Sequence, residues 1–203
     1  MFGDIVAQKN SWETKTLAEV SKVGSSKRIY QNEMSQEGVP FLRIPDILNL
    51  TNSEILKPEL FISEQHYDSL YKSGLVPKEN DVLITSRGTI GKCYIVRKND
   101  KFYFQDGMIT WISELNKIIP LYLVYLFQMP EFIKQIKTMQ AGSTVSYLSI
   151  TMIKKLKLTI PPIDLQNKFA AFVQQVDKSK FAIYDSMLNL VFIGNKLYNN
   201  GRV

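Results

Sequence analysis

The chain has 203 residues, 45% of them hydrophobic and 22% charged, a balance that sets it apart from disordered and fibrous proteins and supplies a core. Its net charge of +6 favours a polyanionic partner, and its single cysteine, Cys93, excludes a disulfide framework or a Cys-based metal site within one chain. No apolar run approaches the ~20 residues that span a bilayer, and Met1 to Trp12 lacks a basic-then-apolar signal pattern, so the expectation is a soluble, cytoplasmic protein.

In chain order, Trp12–Val23 is a short opening element whose type the pattern leaves open. Val39–Ile44 reads as a strand, followed by a loop at Pro45-Asp46. Ser63–Ser73 reads as a helix, with Ser63 as its cap and Glu64 in the first turn. Asp81–Thr85 and Lys92–Arg97 are β-prone runs joined tightly through Ser86 to Gly91, where Gly88 and Gly91 supply turning freedom. Lys101–Gln105 and Met108–Ser113 are expected to pair as strands, turning at Asp106-Gly107. Pro120 suits the first turn of a helix through Phe127, and a second short helix runs from Glu131 to Met139. Ala141–Tyr147 is a polar loop, Ser149 caps a helical turn, and Lys157–Ile160 returns as a strand. From Lys134 to Lys157 the chain carries Lys134, Lys137, Lys154, Lys155 and Lys157 without one acid, its most lopsided stretch.

Pro161-Pro162 marks a boundary, because proline continues neither a strand nor a helix interior; Asp164 then suits a helix N-cap. Beyond it, Leu165, Phe169, Phe172, Val176, Ser179, Ile183, Ser186, Leu190, Ile193 and Leu197 stand alternately four and three apart, and only the two serines are polar. That spacing is the heptad seam of a helix packing on another long helix. The plainer alternative is an amphipathic helix lying on its own domain. The fold class expected is α+β: a mixed α/β domain over residues 1–163, then a long, projecting, coiled-coil-type helix over 164–203.

Catalytic machinery is hard to assemble from these residues. The segment Arg87-Gly88-Thr89-Ile90-Gly91 lacks the third glycine of a dinucleotide loop and precedes a strand, and there is no Gly-x4-Gly-Lys-Ser/Thr phosphate loop. Ile160-Pro161-Pro162-Ile163 shares only its prolines with an amino-methylating motif, and no Glu-x-Lys or Asp-x-Lys follows Pro45-Asp46 as a nuclease would require. His66, the only histidine, sits in an expected surface helix, and Cys93 lies in an apolar β run as a small buried hydrophobe. A binding module without catalytic residues, metal or cofactor is the reading that remains.

Polar loops on a rigid scaffold are where such a module binds. Three carry chemistry suited to DNA: Ser25-Ser26-Lys27-Arg28 with Tyr30; Ser86, Arg87 and Thr89 with Lys92 beyond; and Ser143, Thr144, Ser146 and Tyr147. Arg43 is a fourth candidate. Arginine can bond two ways to guanine, and hydroxyls can reach bases or phosphates. Each of these residues taken alone is equally readable as a solvated turn residue or surface cation.

Four phrases together resemble a known family. Trp12-Glu13-Thr14-Lys15-Thr16-Leu17-Ala18-Glu19-Val20 is similar to the opening of its target-recognition domains, and Val39-Pro40-Phe41-Leu42-Arg43-Ile44-Pro45-Asp46-Ile47 to a second stretch. Asn80-Asp81-Val82-Leu83-Ile84-Thr85-Ser86-Arg87-Gly88-Thr89-Ile90-Gly91 is similar to a third. Leu148 to Gln166, through Pro161-Pro162-Ile163-Asp164-Leu165-Gln166, resembles the approach to its spacer helix. The family is the specificity subunit of Type I restriction-modification systems, and the four stretches occur in its order. The chain departs from it in having one recognition domain and one spacer helix rather than two of each, and in Asp164-Leu165-Gln166 where an acidic residue and two glutamines are usual. Met1-Phe2-Gly3-Asp4 resembles the junction after a preceding spacer helix.

The resemblance implies a half subunit that reads double-stranded DNA without catalysing anything itself. Methyltransferase subunits, with S-adenosylmethionine, and restriction subunits, with ATP and magnesium, would dock on it. Residues 164–203 would serve as spacer and self-association helix, with Leu165, Phe169, Phe172, Val176, Ile183, Leu190, Ile193 and Leu197 at the seam of a homodimer. A helix of roughly 33 residues spans about 50 Å, or about 15 base pairs, which suits a two-part target with a gap. Three alternatives stay open: a non-DNA-binding adaptor or inhibitor working through the long helix, a detached recognition part of a single-chain DNA enzyme, and a reserve cassette used only after recombination.

Overall fold

The computed structural model describes residues 12–52, 54–141 and 147–200, and side chains for all of these but 181 and 184–200. The chain divides into two compact units, Met1–Ile163 and Asp164–Val203.

The first unit mixes α and β. Its chain runs β1 (Glu13–Thr16), α1 (Leu17–Val20), β2 (Lys22–Gly24), a 3-10 turn (Gln31–Glu33), β3 (Met34–Ser35), β4 (Val39–Leu42), α2 (Ile44–Thr51), β5 (Phe61–Ile62) and α3 (Glu64–Lys72). It continues with β6 (Val82–Thr85), β7 (Cys93–Ile95), β8 (Tyr103–Phe104), β9 (Ile109–Ser113), α4 (Pro120–Leu126), α5 (Pro130–Gln140), α6 (Ile150–Lys155) and β10 (Lys157–Ile160). The strands form three sheets: β1 with β10, β2-β9-β6-β7, and β3-β5-β4-β8.

The second sheet organises the unit. Its inner strand β6, Val-Leu-Ile-Thr, is buried at every residue, as a strand covered on both faces must be. Side chains alternate across it with period two. Val82 and Ile84 join Cys93 and Ile112 in one core with residues of α1, α4, α5 and α6. Leu83 joins Tyr94 and Ile109 in a second core with Leu42, Ile47 and Phe104. A third core gathers Val39, Phe41, Ile62 and Tyr103 of the β4 sheet with Tyr67 and Leu70 of α3. Each fully buried Leu or Ile contributes about 1.5–3 kcal/mol.

Local signals set most boundaries. Ser63 Oγ accepts from His66 N (3.2 Å) and Ser149 Oγ from Met152 N (3.1 Å), capping α3 and α6. Pro120 opens α4.

Three expectations need correction. Pro45-Asp46 is not a loop but the first turn of α2, where proline's missing N–H costs nothing; Asp46 Oδ2 accepts from Arg43 N (2.8 Å) and fixes the start. The runs around Asp106-Gly107 are not a hairpin: β8 pairs in parallel with β4, while β9 lies between β2 and β6. Asp164 lies inside the first turn of the last helix, α7 (Ile163–Asn200, 38 residues), which begins two residues earlier than an Asp164 cap requires. At 1.5 Å per residue α7 measures about 57 Å.

Candidate nucleic-acid interface

β6 delivers the chain to Ser86-Arg87 at its end, and the turn beyond is fastened from inside. Thr85 Oγ1 donates to Thr89 O and accepts from Lys92 N (3.0 Å), while Gly91 N donates to Thr85 O (2.9 Å). The turn passes through Gly88 (φ 64°) and Gly91 (φ 78°), left-handed positions that glycine occupies without steric cost.

Ser86 N donates to Met108 O (2.8 Å) and Ser86 O accepts from Leu148 N (2.9 Å). The serine side chain is buried, its hydroxyl 2.7 Å from that of Thr110. Ser86, expected as a DNA contact, is therefore placed as a support inside the frame. Arg87 is exposed and forms an antiparallel bridge with Tyr147, its guanidinium 4.6 Å above the Tyr147 ring. Stacking of this kind contributes about 0.5–1 kcal/mol at an exposed site. Its larger effect is to restrict the direction of a long, exposed side chain. Tyr147 O in turn accepts from Gln140 Nε2 (3.0 Å), tying it to the end of α5.

The segment from Ser25 to Arg28 meets the same strip from the other side. Ser25 Oγ donates to Ile109 O and accepts from Gly107 N, both at 3.2 Å. Ser26 Oγ donates to Phe104 O (2.7 Å), and Lys27 N donates to the Tyr103 hydroxyl (2.8 Å). Burial pushes that phenol up to about 12, so it stays protonated and donates back to Lys27 O. Arg28 places Nε and Nη2 on Asp106 Oδ2 (3.0 and 2.9 Å).

Arg43 approaches by a third route. Leu42 O accepts from Gln105 N (2.9 Å), placing Arg43 beside the same connection. Its Nη2 donates to Glu59 Oε2 (2.6 Å), and its Nε is buried without a partner among the described residues. The four residues from Gln105 to Met108 thus gather three arginines that are far apart in sequence.

The remaining candidates divide clearly. Lys27, Tyr30, Thr89 and Lys92 are exposed. Ser143, Thr144 and Ser146 lie outside the described residues, as does Met1-Phe2-Gly3-Asp4. On α7, Leu165, Phe169 and Val176 are half-buried, Phe172 and Ile183 are exposed, and the side chains of Leu190, Ile193 and Leu197 lie outside the described set. Asp106 and Glu59, whose partners Arg28 and Arg43 lie in other elements, were not singled out from the sequence, nor was Gln140, whose bond to Tyr147 closes a loop.

Cys93 is buried and its thiol pushed up by desolvation, which keeps it from acting as a thiolate. His66 Nε2 lies 4.0 Å from Glu33 Oε1, and the backbone N–H of the same residue donates to Ser63 Oγ in the helix cap. Among the described residues no group of three or more His, Cys, Asp or Glu is placed to hold a metal ion. No helix among them is long and apolar enough to cross a membrane.

Comparison with known proteins brings one family. A Haemophilus influenzae protein, named provisionally as a type I restriction enzyme specificity subunit, is 26% identical over 163 residues, covering 79% of this chain and 39% of its own length. The MjaIX specificity subunit of a type I restriction enzyme from Methanocaldococcus jannaschii is 24% identical, over 86% of this chain and 40% of its own. The chain thus spans about two fifths of the curated relatives it matches. The fold is similar to the HsdS subunit from Thermoanaerobacter tengcongensis (TM-score 0.57, 14% identity, 83% of this chain and 38% of that one). It is also similar to a chain from a study of type I R-M complex assembly and conformational transition (TM-score 0.61, 16% identity, 85% and 40%). The model of the type I restriction modification DNA specificity domain matches residues 9–190, and the chain belongs to that family.

Proposed function

We propose that this chain reads DNA sequence for a type I restriction-modification assembly and performs no catalysis itself. The observation that carries the reading is the convergence of Arg28, Arg43 and Arg87 on the Gln105–Met108 connection, with Arg87 held outward on Tyr147. A guanidinium fixed in direction can pair in two bonds with the O6 and N7 edge of guanine, the commonest specific contact in the major groove. In this reading the exposed Lys27, Tyr30, Thr89 and Lys92 make phosphate and sugar contacts, which set register without reading sequence.

In this reading residues 1–163 form the recognition domain, and α7 is the spacer that separates it from a second one. The second recognition domain comes from another copy of the chain, paired through Leu165, Phe169, Phe172, Val176, Ile183, Leu190, Ile193 and Leu197. A two-fold arrangement of that kind reads a symmetric two-part target. Methyltransferase and restriction subunits bring S-adenosylmethionine, ATP and magnesium to the assembly.

A second reading, an adaptor that binds protein through α7 and leaves DNA alone, draws on the carboxylates that already hold Arg28 and Arg43. Selection from a random-sequence duplex pool at physiological salt, with and without the methyltransferase subunit, separates the two. Enrichment of a two-part motif with a fixed gap supports the specificity role and the pairing together. A single short motif supports recognition by one unpaired domain. Absence of enrichment and of salt-dependent binding in both arms favours the adaptor.

A further inference from the structure

The net positive charge of the chain is concentrated in one place. Of 25 lysines and arginines set against 19 acids, five are Lys134, Lys137, Lys154, Lys155 and Lys157; without them the two signs nearly balance. All five are exposed. None forms an ion pair among the described residues, although seven such pairs occur elsewhere on the unit.

The fold gathers them into one surface. On α5, Phe132 and Ile136 turn into the core while Lys134 and Lys137, three residues apart, share the outer face. On α6, Ile153 is buried and Lys154 and Lys155 close the last turn. Lys157 opens β10 with its side chain outward. The Gln135 side-chain amide bolts the pieces together: Oε1 accepts from Lys157 N and Nε2 donates to Lys157 O, both at 3.0 Å. Helix α1, which packs against α6, carries Glu19, but that carboxylate is held by the Thr16 N–H (2.7 Å) and hydroxyl (2.6 Å).

We propose that Lys134, Lys137, Lys154, Lys155 and Lys157 form a phosphate-gripping face that holds the duplex backbone beside the base-reading edge, whatever the sequence. Three observations favour a nucleic-acid backbone as the occupant. Protein interfaces are depleted in lysine, whereas phosphate backbones recruit it. The five lysines stand against one acid on the same helix face, Glu131, three residues before Lys134, a balance too one-sided for a mixed-charge protein surface. It is also continuous with the edge already described, since Lys137 lies one turn before Gln140, which bonds Tyr147 beneath Arg87. The division of labour is that Arg87 and its neighbours choose a site while the lysines hold any site.

The inference rests on the DNA-reading function and is tested on the full chain by fluorescence anisotropy, with a target duplex and a scrambled duplex across a salt series. The variant is K134Q/K137Q/K157Q, with K134R/K137R/K157R as the charge-retaining control and thermal melting to verify folding. Each phosphate contact contributes about 0.9 to the slope of log affinity against log salt. The glutamine variant is expected to lower that slope by about 2–3, to weaken both duplexes by the same factor, and to leave their ratio unchanged, while the arginine variant binds like the parent. An unchanged slope in a folded glutamine variant overturns the phosphate face while leaving the DNA-reading function intact. So does a loss confined to the target duplex, or a loss of methyltransferase-subunit assembly with an unchanged slope. Failure of the parent chain to bind either duplex, alone or with its methyltransferase subunit, overturns the function on which the face depends.

Discussion

Arg87 and Arg43 are the same residue type at opposite ends of one short connection, and they are held in different ways. Arg87 sits on an aromatic ring, which restricts its direction while the residue stays exposed. Arg43 spends Nη2 on Glu59 and keeps Nε buried. The frames differ too. The chain before Arg87 is locked by Ser86 to Met108, Leu148 and Thr110, while Arg43 follows a strand in parallel pairing with β8 and has its own N–H held by Asp46. A surface arginine is thus left available or tied down according to what its planar head rests on.

The contrast can be broken most forcefully from below. Ile84→Ala, in the buried strand that presents Ser86 and Arg87, is expected to destabilise the unit by about 2–5 kcal/mol, read as a lower urea midpoint. Ser86→Ala removes the buried partner of Thr110 and is expected to cost about 1–3 kcal/mol in the same experiment. Unchanged stability would mean that Ser86 is not part of the frame. Arg87→Ala should leave stability alone and lower discrimination between target and mismatched duplexes by about 1–3 kcal/mol. An equal loss on both duplexes would make Arg87 a phosphate contact. Glu59→Gln frees Arg43 and should shift stability by less than about 1 kcal/mol, with a gain in DNA affinity if Arg43 can then turn outward. The smallest effect is electrostatic. Burial raises Asp81 above the usual carboxylate value of 3.8, despite hydrogen bonds from Lys78 N and Trp111 Nε1. Ionising it costs more in the folded than in the unfolded chain, so its contribution falls as pH rises from 3.8 through the raised value. Asp81→Asn should remove that fall, seen as a stability difference between variant and parent that grows over this window.

Local structure was legible where the chemistry is local. Ser63 and Ser149 announce their helices because a cap needs only its own next three residues, and Pro120 announces α4 for a similar reason. Pro45 misled because a proline stops a helix from inside yet starts one from its first turn, and only the Asp46 bond to Arg43 N distinguishes the cases. Asp106-Gly107 misled because hairpins are the commonest use of such a turn, whereas the parallel pairing of β8 with β4 joins residues about sixty apart and leaves no local trace. The candidate edge was half readable. Arg28, Arg43, Arg87 and Tyr147 each stood out by type. That Arg87 rests on Tyr147, that Ser86 turns inward, and that Asp106 and Glu59 hold two of the arginines depend on tertiary pairing.

The β1–β10 pair has a consequence for how such a unit changes over time. Glu13 stands opposite Ile160 and Thr16 opposite Lys157, so the path into the domain and the path out of it are antiparallel neighbours about 4.8 Å apart. Everything between, from Leu17 to Leu156, hangs from that doorway. A stretch of gene encoding a different interior could be exchanged between the same two strands without altering the spacing presented to whatever lies outside them. Variation of the interior then requires no redesign of the frame that carries it.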